Sequence, residues 1–178
     1  MRRSLGSLFH AYRRYFNHLI TPSEIATSLD KVDFDALYHN GYRHIIFDVD
    51  NTLITPEATT LSLQMENTLR SIESKGYTIF LVSNNSSRQR IKRVADHLNV
   101  EAYFFSIKPF TPTAYDIQNR FNVNLNKTIV IGDQLLTDII FSNLIGAYGI
   151  FVEPLNKNLS FIKTLQRELE LKLIRWLA

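Results

Sequence analysis

Five short apolar runs, rich in β-branched and aromatic residues, alternate along this chain with longer amphipathic stretches. The strand-like runs lie at 43–49, 78–83, 102–106, 128–132 and 148–152, and the helix-like stretches at about 62–75, 86–98, 111–121 and 134–145. This alternation is typical of repeated βαβ units, in which helices join parallel strands. The sequence therefore predicts an α/β fold with a five-stranded, mainly parallel sheet. One domain over residues 1–178 is the simplest organisation, because no repeat, low-complexity tract or long linker interrupts the chain.

Two aspartates, Asp48 and Asp50, follow the first run and are separated by one residue. Residues i and i+2 of an extended strand share a face, so their carboxylates repel each other unless a cation or a proton intervenes. A divalent cation such as Mg2+ would leave one carboxylate ionised as a nucleophile and let the other serve as acid and base. The alternative interpretation is a polar turn after a strand, since Asp and Asn are common turn residues.

Polar side chains also follow three of the other runs. Ser83 and Asn84 end the second run and offer hydroxyl and amide groups that can bind phosphate oxygens. Lys108 follows the third run, and Asp133 and Asp138 follow the fourth. Each piece alone could be an ordinary loop or a helix N-cap. All of them, however, follow predicted strands at their carboxyl ends, the edge at which open α/β sheets bind ligands.

In order and spacing, these pieces resemble the motifs of the haloacid-dehalogenase-like (HAD) phosphatases, which read D-x-D-x-T, Ser or Thr, Lys, and G-D-x-x-x-x-D. The matching residues are Asp48, Asp50, Thr52, Ser83, Lys108, Gly132, Asp133 and Asp138. Within that superfamily the chain is similar to the uncapped subfamily IIIA and its YqeG-type proteins, which are related to the phosphatidylglycerophosphate phosphatases. The similarity rests on D-V-D-N-T-L, S-N-N-S, K-P, G-D-Q-L-L-T-D and the basic aromatic segment before the first motif. It implies a HAD-like Rossmannoid three-layer sandwich, with helices on both faces of the sheet.

The resemblance also implies a mechanism and a cofactor. Asp48 would attack phosphorus and form an aspartyl-phosphate, while Asp50 would protonate the leaving alcohol and later deprotonate the hydrolytic water. Mg2+ would be bound by Asp48, the main-chain carbonyl of Asp50 and Asp133. Asp138 would support the metal site from outside the ring of direct metal ligands or through Lys108.

Ser83 and Lys108 would neutralise and orient the phosphoryl oxygens, with Asn84 and Arg88 as further substrate-binding candidates. Arg88 begins a basic cluster, Arg88, Arg90, Lys92 and Arg93, whose first residues could reach a second phosphate or an anionic membrane. The alternative for this cluster is an ordinary solvated helix face.

The intervals between the motifs leave no room for a sizeable cap domain. Only 32 residues separate Asp50 from Ser83, and only 24 separate Ser83 from Lys108. An open site relies on the bulk of the substrate or on a partner to exclude water, which favours a large or surface-bound phosphate monoester. The favoured reaction is dephosphorylation of phosphatidylglycerophosphate to phosphatidylglycerol. The alternatives are a soluble phosphatase acting on a sugar phosphate, nucleotide or phosphoprotein, and a non-enzymatic scaffold that retains the fold.

Residues 1–20 form a basic amphipathic segment. They contain four arginines and no acid, whereas the whole chain has a net charge of only +3. Its arginines are Arg2, Arg3, Arg13 and Arg14, and its apolar residues, at helical spacing, are Leu5, Leu8, Phe9, Tyr12, Tyr15, Phe16, Leu19 and Ile20. The segment could lie on an anionic bilayer, or its stripe could pack on the domain or on a second subunit. It is too short and too charged to span a membrane, whereas a mitochondrial presequence stays open.

The remaining expectations concern compartment and partners. The chain has no cysteine, which excludes disulfides and Cys-based zinc sites and fits a cytoplasmic protein, peripheral at the membrane if residues 1–20 bind lipid. No nucleic-acid partner is expected. Apolar residues at helical intervals predict a C-terminal helix over residues 158–177, suited to packing or to a homodimer.

Overall fold

The computed structural model describes residues 5–156, with side chains described from residue 11 onward. In this part of the chain, six strands form one sheet: β1 Glu24–Ala26, β2 His44–Phe47, β3 Thr78–Val82, β4 Glu101–Tyr103, β5 Thr128–Gly132 and β6 Tyr148–Val152. The helices are α1 Leu5–Ile20, α2 Phe34–His39, α3 Leu63–Ser74, α4 Arg88–Leu98, α5 Pro112–Phe121 and α6 Ile140–Leu144, with a π-helical turn at Leu135–Ile139. The predicted C-terminal helix at 158–177 lies outside the described residues.

The sheet is parallel throughout, in the order β1-β6-β5-β2-β3-β4. Strands β2, β3 and β4 run toward one edge, and the chain then crosses to β5 and β6 on the other side of β2. The strand order therefore reverses between β2 and β5. In open α/β sheets, ligands bind beyond the carboxyl ends of the strands at this switch point.

Alternating strand residues supply two separate cores, as expected for a sheet covered on both faces. In β2, Ile45 and Phe47 join one cluster and Ile46 joins the other. The first cluster includes buried residues of α2, α3 and α4, whereas the second includes those of α5 and α6. The predicted α/β three-layer arrangement is thus confirmed.

The predicted number of strands was too low by one. Strand β1 was missed because it has only three residues and pairs with β6 at the edge of the sheet. Its central residue, Ile25, is exposed, so the segment lacks the apolar run that identified the other strands. The third predicted strand is also shorter than expected, and α2 is a helix of six residues in a region that received no assignment.

The intervals between the motifs contain no cap domain. The chain from Asp50 to Ser83 forms a loop, α3 and β3, and the chain from Ser83 to Lys108 forms α4, β4 and a loop. Within residues 5–156, no helix is both long enough and apolar enough to cross a membrane.

Candidate active site

The first, second and fourth motifs come together because their strands are neighbours. Phe47 of β2 is in register with Leu81 of β3 and Ile131 of β5. Asp48 therefore continues from β2 between the ends of these two strands, and its main-chain N–H donates to the carbonyl of Ile131 at 2.8 Å. Ser83 follows β3 on the other side. This is the convergence at one sheet edge that the sequence predicted.

Lys108 joins the third motif to the first and fourth. Its Nζ lies 2.7 Å from Oδ1 of Asp48 and 2.7 Å from Oδ1 of Asp138, and all three side chains are buried. The lysine is five residues beyond the end of β4 at Tyr103, so a loop, rather than the strand end itself, carries it to the site. One buried cation is therefore shared by two buried carboxylates.

Burial and neighbouring charges shift the proton equilibria of this cluster. Burial raises the pKa of the Asp48 carboxyl to about 7; the ammonium of Lys108 opposes this shift, and the carboxylates of Asp138 and Asp50 add to it. Burial also opposes the charged form of Lys108, but Asp138 and Asp48 outweigh that effect and hold the pKa of the ammonium above its usual range. Lys108 thus stays a cation at any physiological pH.

Asp50 is held by contacts to both of its carboxylate oxygens. Ser83 Oγ donates to Oδ2 at 3.0 Å, and Asn85 Nδ2 donates to Oδ1 at 3.3 Å. Arg90 of α4 forms an ion pair with Oδ1 and also donates to two main-chain carbonyls, both at 2.8 Å, in the loop after the first motif. The predicted acid and base therefore has a fixed orientation beside Asp48.

The structure gives two predicted substrate-binding residues other partners. Asn84 Nδ2 donates to the carbonyl of Lys108 at 3.0 Å, and its Oδ1 accepts from the Lys108 N–H at 2.6 Å and from Ser106 Oγ at 3.0 Å. The guanidinium of Arg88 lies 5.1 Å from the ring centroid of Phe104. Asn84 thus positions the loop that carries Lys108. Direct contact of Asn84 or Arg88 with substrate stays a prediction.

Gly132 is required by the close approach of the fourth motif to its own strand. A Cβ at this position would lie 2.3 Å from Cγ of Asp138, far inside van der Waals contact. Asp138 follows in the π-helical turn, and its Oδ2 accepts from the main-chain N–H of Gln134 at 3.1 Å. The glycine lets the buried carboxylate fold back against the end of β5 and reach Lys108.

The acidic residues present fit a divalent cation. Asp48, Asp133 and Asp138 each offer a carboxylate oxygen, and these oxygens lie within 4.8 Å of one another. Oδ2 of Asp48 is buried and has no hydrogen-bond partner among the described residues, as expected of an atom that binds a cation. Hard oxygen ligands of this kind suit Mg2+. The side chain of Asp50 faces Ser83 and Arg90 instead, so only its main-chain carbonyl would remain for a metal.

Arg90 contacts the site, although the sequence alone indicated only that it belongs to a basic cluster. Its position on α4 carries a usable signal, because Arg90 precedes the buried Val94 by four residues and so lies on the buried side of the helix. By the same rule, Arg93 belongs to the solvated face, because its neighbours three and four residues on, Asp96 and His97, are exposed. Helical periodicity can thus separate Arg90 from Arg93.

Residues 14–155 match the family model described as mitochondrial PGP phosphatase. The probable phosphatase YqeG of Bacillus subtilis (strain 168) is 26% identical over 153 residues, which cover 86% of this chain and 88% of that protein. Phosphatidylglycerophosphatase GEP4, mitochondrial, of Saccharomyces cerevisiae is 29% identical over 150 residues, covering 75% and 80%. Phosphatidylglycerophosphate phosphatase 1, chloroplastic/mitochondrial, of Arabidopsis thaliana is 25% identical over 168 residues, covering 89% of this chain but only 48% of that longer protein.

Two solved structures resemble the described fold. An uncharacterized protein from Listeria monocytogenes serotype 4b aligns with a TM-score of 0.52 and 20% identity, over 66% of this chain and 85% of that one. The hypothetical protein XCC2798 from Xanthomonas campestris aligns with a TM-score of 0.52 and 16% identity, over 79% of each chain. At these identities the similarity concerns the fold alone.

Proposed function

The chain belongs to the mitochondrial PGP phosphatase family and is a phosphoric monoester hydrolase; from that premise we propose that it converts phosphatidylglycerophosphate to phosphatidylglycerol through an aspartyl-phosphate. The observation that carries the proposed mechanism is the environment of Asp48. Lys108 fixes one oxygen of its carboxylate, the other is buried and has no hydrogen-bond partner within residues 5–156, and Asp50 is held two residues away. A carboxylate so placed is suited to nucleophilic attack.

In the first half-reaction, an oxygen of Asp48 forms a bond to phosphorus as the bond from phosphorus to the ester oxygen breaks. Asp50 donates its proton to the departing alkoxide and releases it as an alcohol. In the second half-reaction, water attacks the phosphorus of the acyl phosphate and gives a proton to Asp50, as the bond from phosphorus to the Asp48 oxygen breaks. Inorganic phosphate then leaves, and both carboxyl groups return to their starting protonation states.

Mg2+ held by Asp48, Asp133 and the main-chain carbonyl of Asp50 would supply positive charge that offsets the repulsion between carboxylates and phosphate. Lys108 adds a fixed cation, and the hydroxyl of Ser83 is a donor for a phosphoryl oxygen. Asp138 forms a second ion pair with Lys108 and helps to hold it in place. The charges of the site are thus suited to a dianionic phosphate monoester.

The absence of a cap from the described residues supports a large substrate, because no helix or loop inserted between the motifs of residues 48–138 forms a separate domain over the site. The names of the yeast and plant relatives suggest the same phospholipid class. A soluble phosphatase for a smaller ester is the alternative. A scaffold without activity is disfavoured, because the catalytic residue types are all present and their side chains contact one another.

Binding of residues 1–20 to an anionic membrane stays a prediction. The carboxyl-terminal end of α1 packs on the domain: Ile20 is buried, and Asn143 of α6 donates to the carbonyls of Leu19 and Thr21. Tyr12 and Tyr15, in contrast, are exposed. Packing on the domain therefore accounts for the last turn of the helix, and only the exposed turns before it are left for contact with a membrane. A cytoplasmic location, peripheral at the membrane, and a homodimer also stay predictions.

The decisive experiment is turnover of a panel of phosphate esters, with phosphatidylglycerophosphate presented in detergent micelles and p-nitrophenyl phosphate as the soluble reference. We expect the phospholipid to be hydrolysed with the highest kcat/KM of the panel. Asp48→Asn protein is the matched control, because it keeps the shape of the side chain but cannot form the acyl phosphate. Preference for a sugar phosphate or nucleotide over the phospholipid would overturn the substrate assignment and leave the mechanism standing.

A further inference from the structure

The loop of residues 104–110, which we term the aromatic loop, exposes large apolar side chains next to the candidate site. Their exposed fractions are 39% for Phe104, 63% for Phe105, 53% for Ile107 and 67% for Phe110. Four exposed residues of this size within seven positions form a patch, unlike the scattered single apolar residues that are normal on protein surfaces. Such patches mark sites of contact with a partner or a membrane.

The same loop carries the catalytic lysine inward. Ser106 and Lys108 alternate with the exposed residues and are buried; Ser106 donates to Asn84, and Lys108 reaches Asp48. The main chain is tied down as well, since the N–H of Phe105 donates to the carbonyl of Asn85 at 3.0 Å. The apolar side chains are therefore held on a fixed backbone at the mouth of the site.

Two of the exposed residues adopt a backbone conformation that their side chains disfavour. Phe105 has a φ of 52° and Ile107 a φ of 55°, in the left-handed region. Glycine or asparagine is the usual residue there, and a β-branched isoleucine is a clear outlier. Neither side chain contributes much to the core, so packing does not explain why apolar residues occupy these strained positions. Strain of this kind concentrates at functional segments.

We propose that the aromatic loop inserts into the interfacial region of an anionic phospholipid bilayer and presents the site to the lipid headgroups. Aromatic side chains favour this interfacial depth. The guanidinium of Arg88 lies over Phe104, and the first turn of α4 contains no acid, so a cation accompanies the apolar patch. This combination of apolar and cationic groups suits a bilayer with negative headgroups. The inference rests on the proposed function and adds a membrane contact separate from residues 1–20.

The test is the double variant Phe105→Asn/Ile107→Asn. Asparagine tolerates positive φ better than either native residue, so the loop backbone is expected to be preserved. The matched control, Ile25→Asn/Leu144→Asn, removes two exposed apolar side chains outside the aromatic loop. Flotation with phosphatidylcholine vesicles, with and without phosphatidylglycerol, measures binding. We expect the loop variant to bind anionic vesicles at least about tenfold more weakly than wild type, with the control unchanged.

Hydrolysis of p-nitrophenyl phosphate serves as the readout for an intact site, and we expect it to stay within about twofold in the loop variant. If the double variant fails to fold by circular dichroism, Phe110→Ser replaces it, because Phe110 is highly exposed and lies outside the strained positions. Vesicle binding is scored separately from turnover. Lack of phospholipid hydrolysis by wild type would therefore refute the proposed function without deciding this inference.

Three results would overturn the inference. The first is equal vesicle binding by wild type and the loop variant. The second is loss of binding only when Arg2, Arg3, Arg13 and Arg14 are changed to Gln, which would assign membrane contact to residues 1–20. The third is a wild-type dimer in light scattering that the loop variant dissociates while vesicle binding persists, which would make the aromatic loop a contact between two copies of the chain.

Discussion

Replacing Lys108 with methionine tests whether this lysine holds the site together electrostatically. Its Nζ lies 2.7 Å from carboxylate oxygens of both Asp48 and Asp138, and all three groups are buried. Removing one partner of a buried ion pair costs about 3–5 kcal/mol, because a charge is left without compensation. For a domain of this size, that loss corresponds to a fall in Tm of roughly 10 °C. Urea denaturation of the metal-free protein, monitored by circular dichroism, measures the loss in free energy of unfolding.

The matched control is Lys92→Met, which breaks an ion pair with Asp96 whose side chains are 62% and 64% exposed. Exposed pairs of this kind contribute about 0.2–1 kcal/mol. The loss in Lys108→Met should also depend on pH. The ammonium lowers the pKa of Asp48, so its removal raises that pKa above the wild-type value of about 7. Wild type and variant therefore lose stability alike as pH rises from about 4 to 7, and only the variant goes on losing it above 7. Equal losses in the two variants, or equal losses for Lys108→Met at about pH 6 and pH 9, would refute the electrostatic account.

Three further predictions concern the nucleophile, the metal and the glycine of the fourth motif. In an assay of phosphate release, Asp48→Asn should show no activity, whereas Asp50→Asn should slow turnover by about 10²–10⁴-fold through loss of proton transfer. Normal turnover in Asp48→Asn would contradict the mechanism. Activity should vanish in excess chelator and return with Mg2+. The affinity for Mg2+, measured by calorimetry, should rise with pH until about 7, because the proton on Asp48 must leave before the metal binds. An affinity independent of pH would argue against Asp48 as a ligand. Gly132→Ala should destabilise the fold by about 1–3 kcal/mol and lower kcat, since the new methyl group displaces Asp138 from Lys108; unchanged thermal denaturation would disprove the steric conflict.

The strands β2, β3 and β5 could be predicted because each is an apolar run followed by polar residues. Buried parallel strands read this way in sequence. Strand β1 could not be found by the same pattern, since it is three residues long and its Ile25 is exposed at the edge of the sheet. Its place is set by pairing with β6, which is more than a hundred residues away in the chain. Such long-range pairing leaves no local periodicity.

Side-chain partners within the site were harder to predict than positions. The amide of Asn84 is predicted to donate to phosphate, and in the structure it also contacts the loop that carries Lys108, which residue type alone did not indicate. Ser106, which completes this contact, gave no signal in the sequence. The ion pair between Asp50 and Arg90 joins residues 40 positions apart, and it depends on how α4 packs on the sheet. Residue type predicts what a group can bind, but packing decides which partner it reaches.

The contacts of Asp50 suggest how an open site can keep its acid and base in place. Oδ1 is held by Arg90, which also anchors the carbonyls of Thr55 and Ala58, and Oδ2 accepts only from the hydroxyl of Ser83 among its described side-chain partners. Ser83 is also the predicted donor to a phosphoryl oxygen. Because a hydroxyl has a single proton to donate, arrival of the phosphate would draw that donor away from Oδ2. The oxygen released in this way would be the one available for proton transfer, while Arg90 keeps the carboxylate oriented from the other side. Substrate binding would thus free the catalytic oxygen without the closing motion that a cap domain provides.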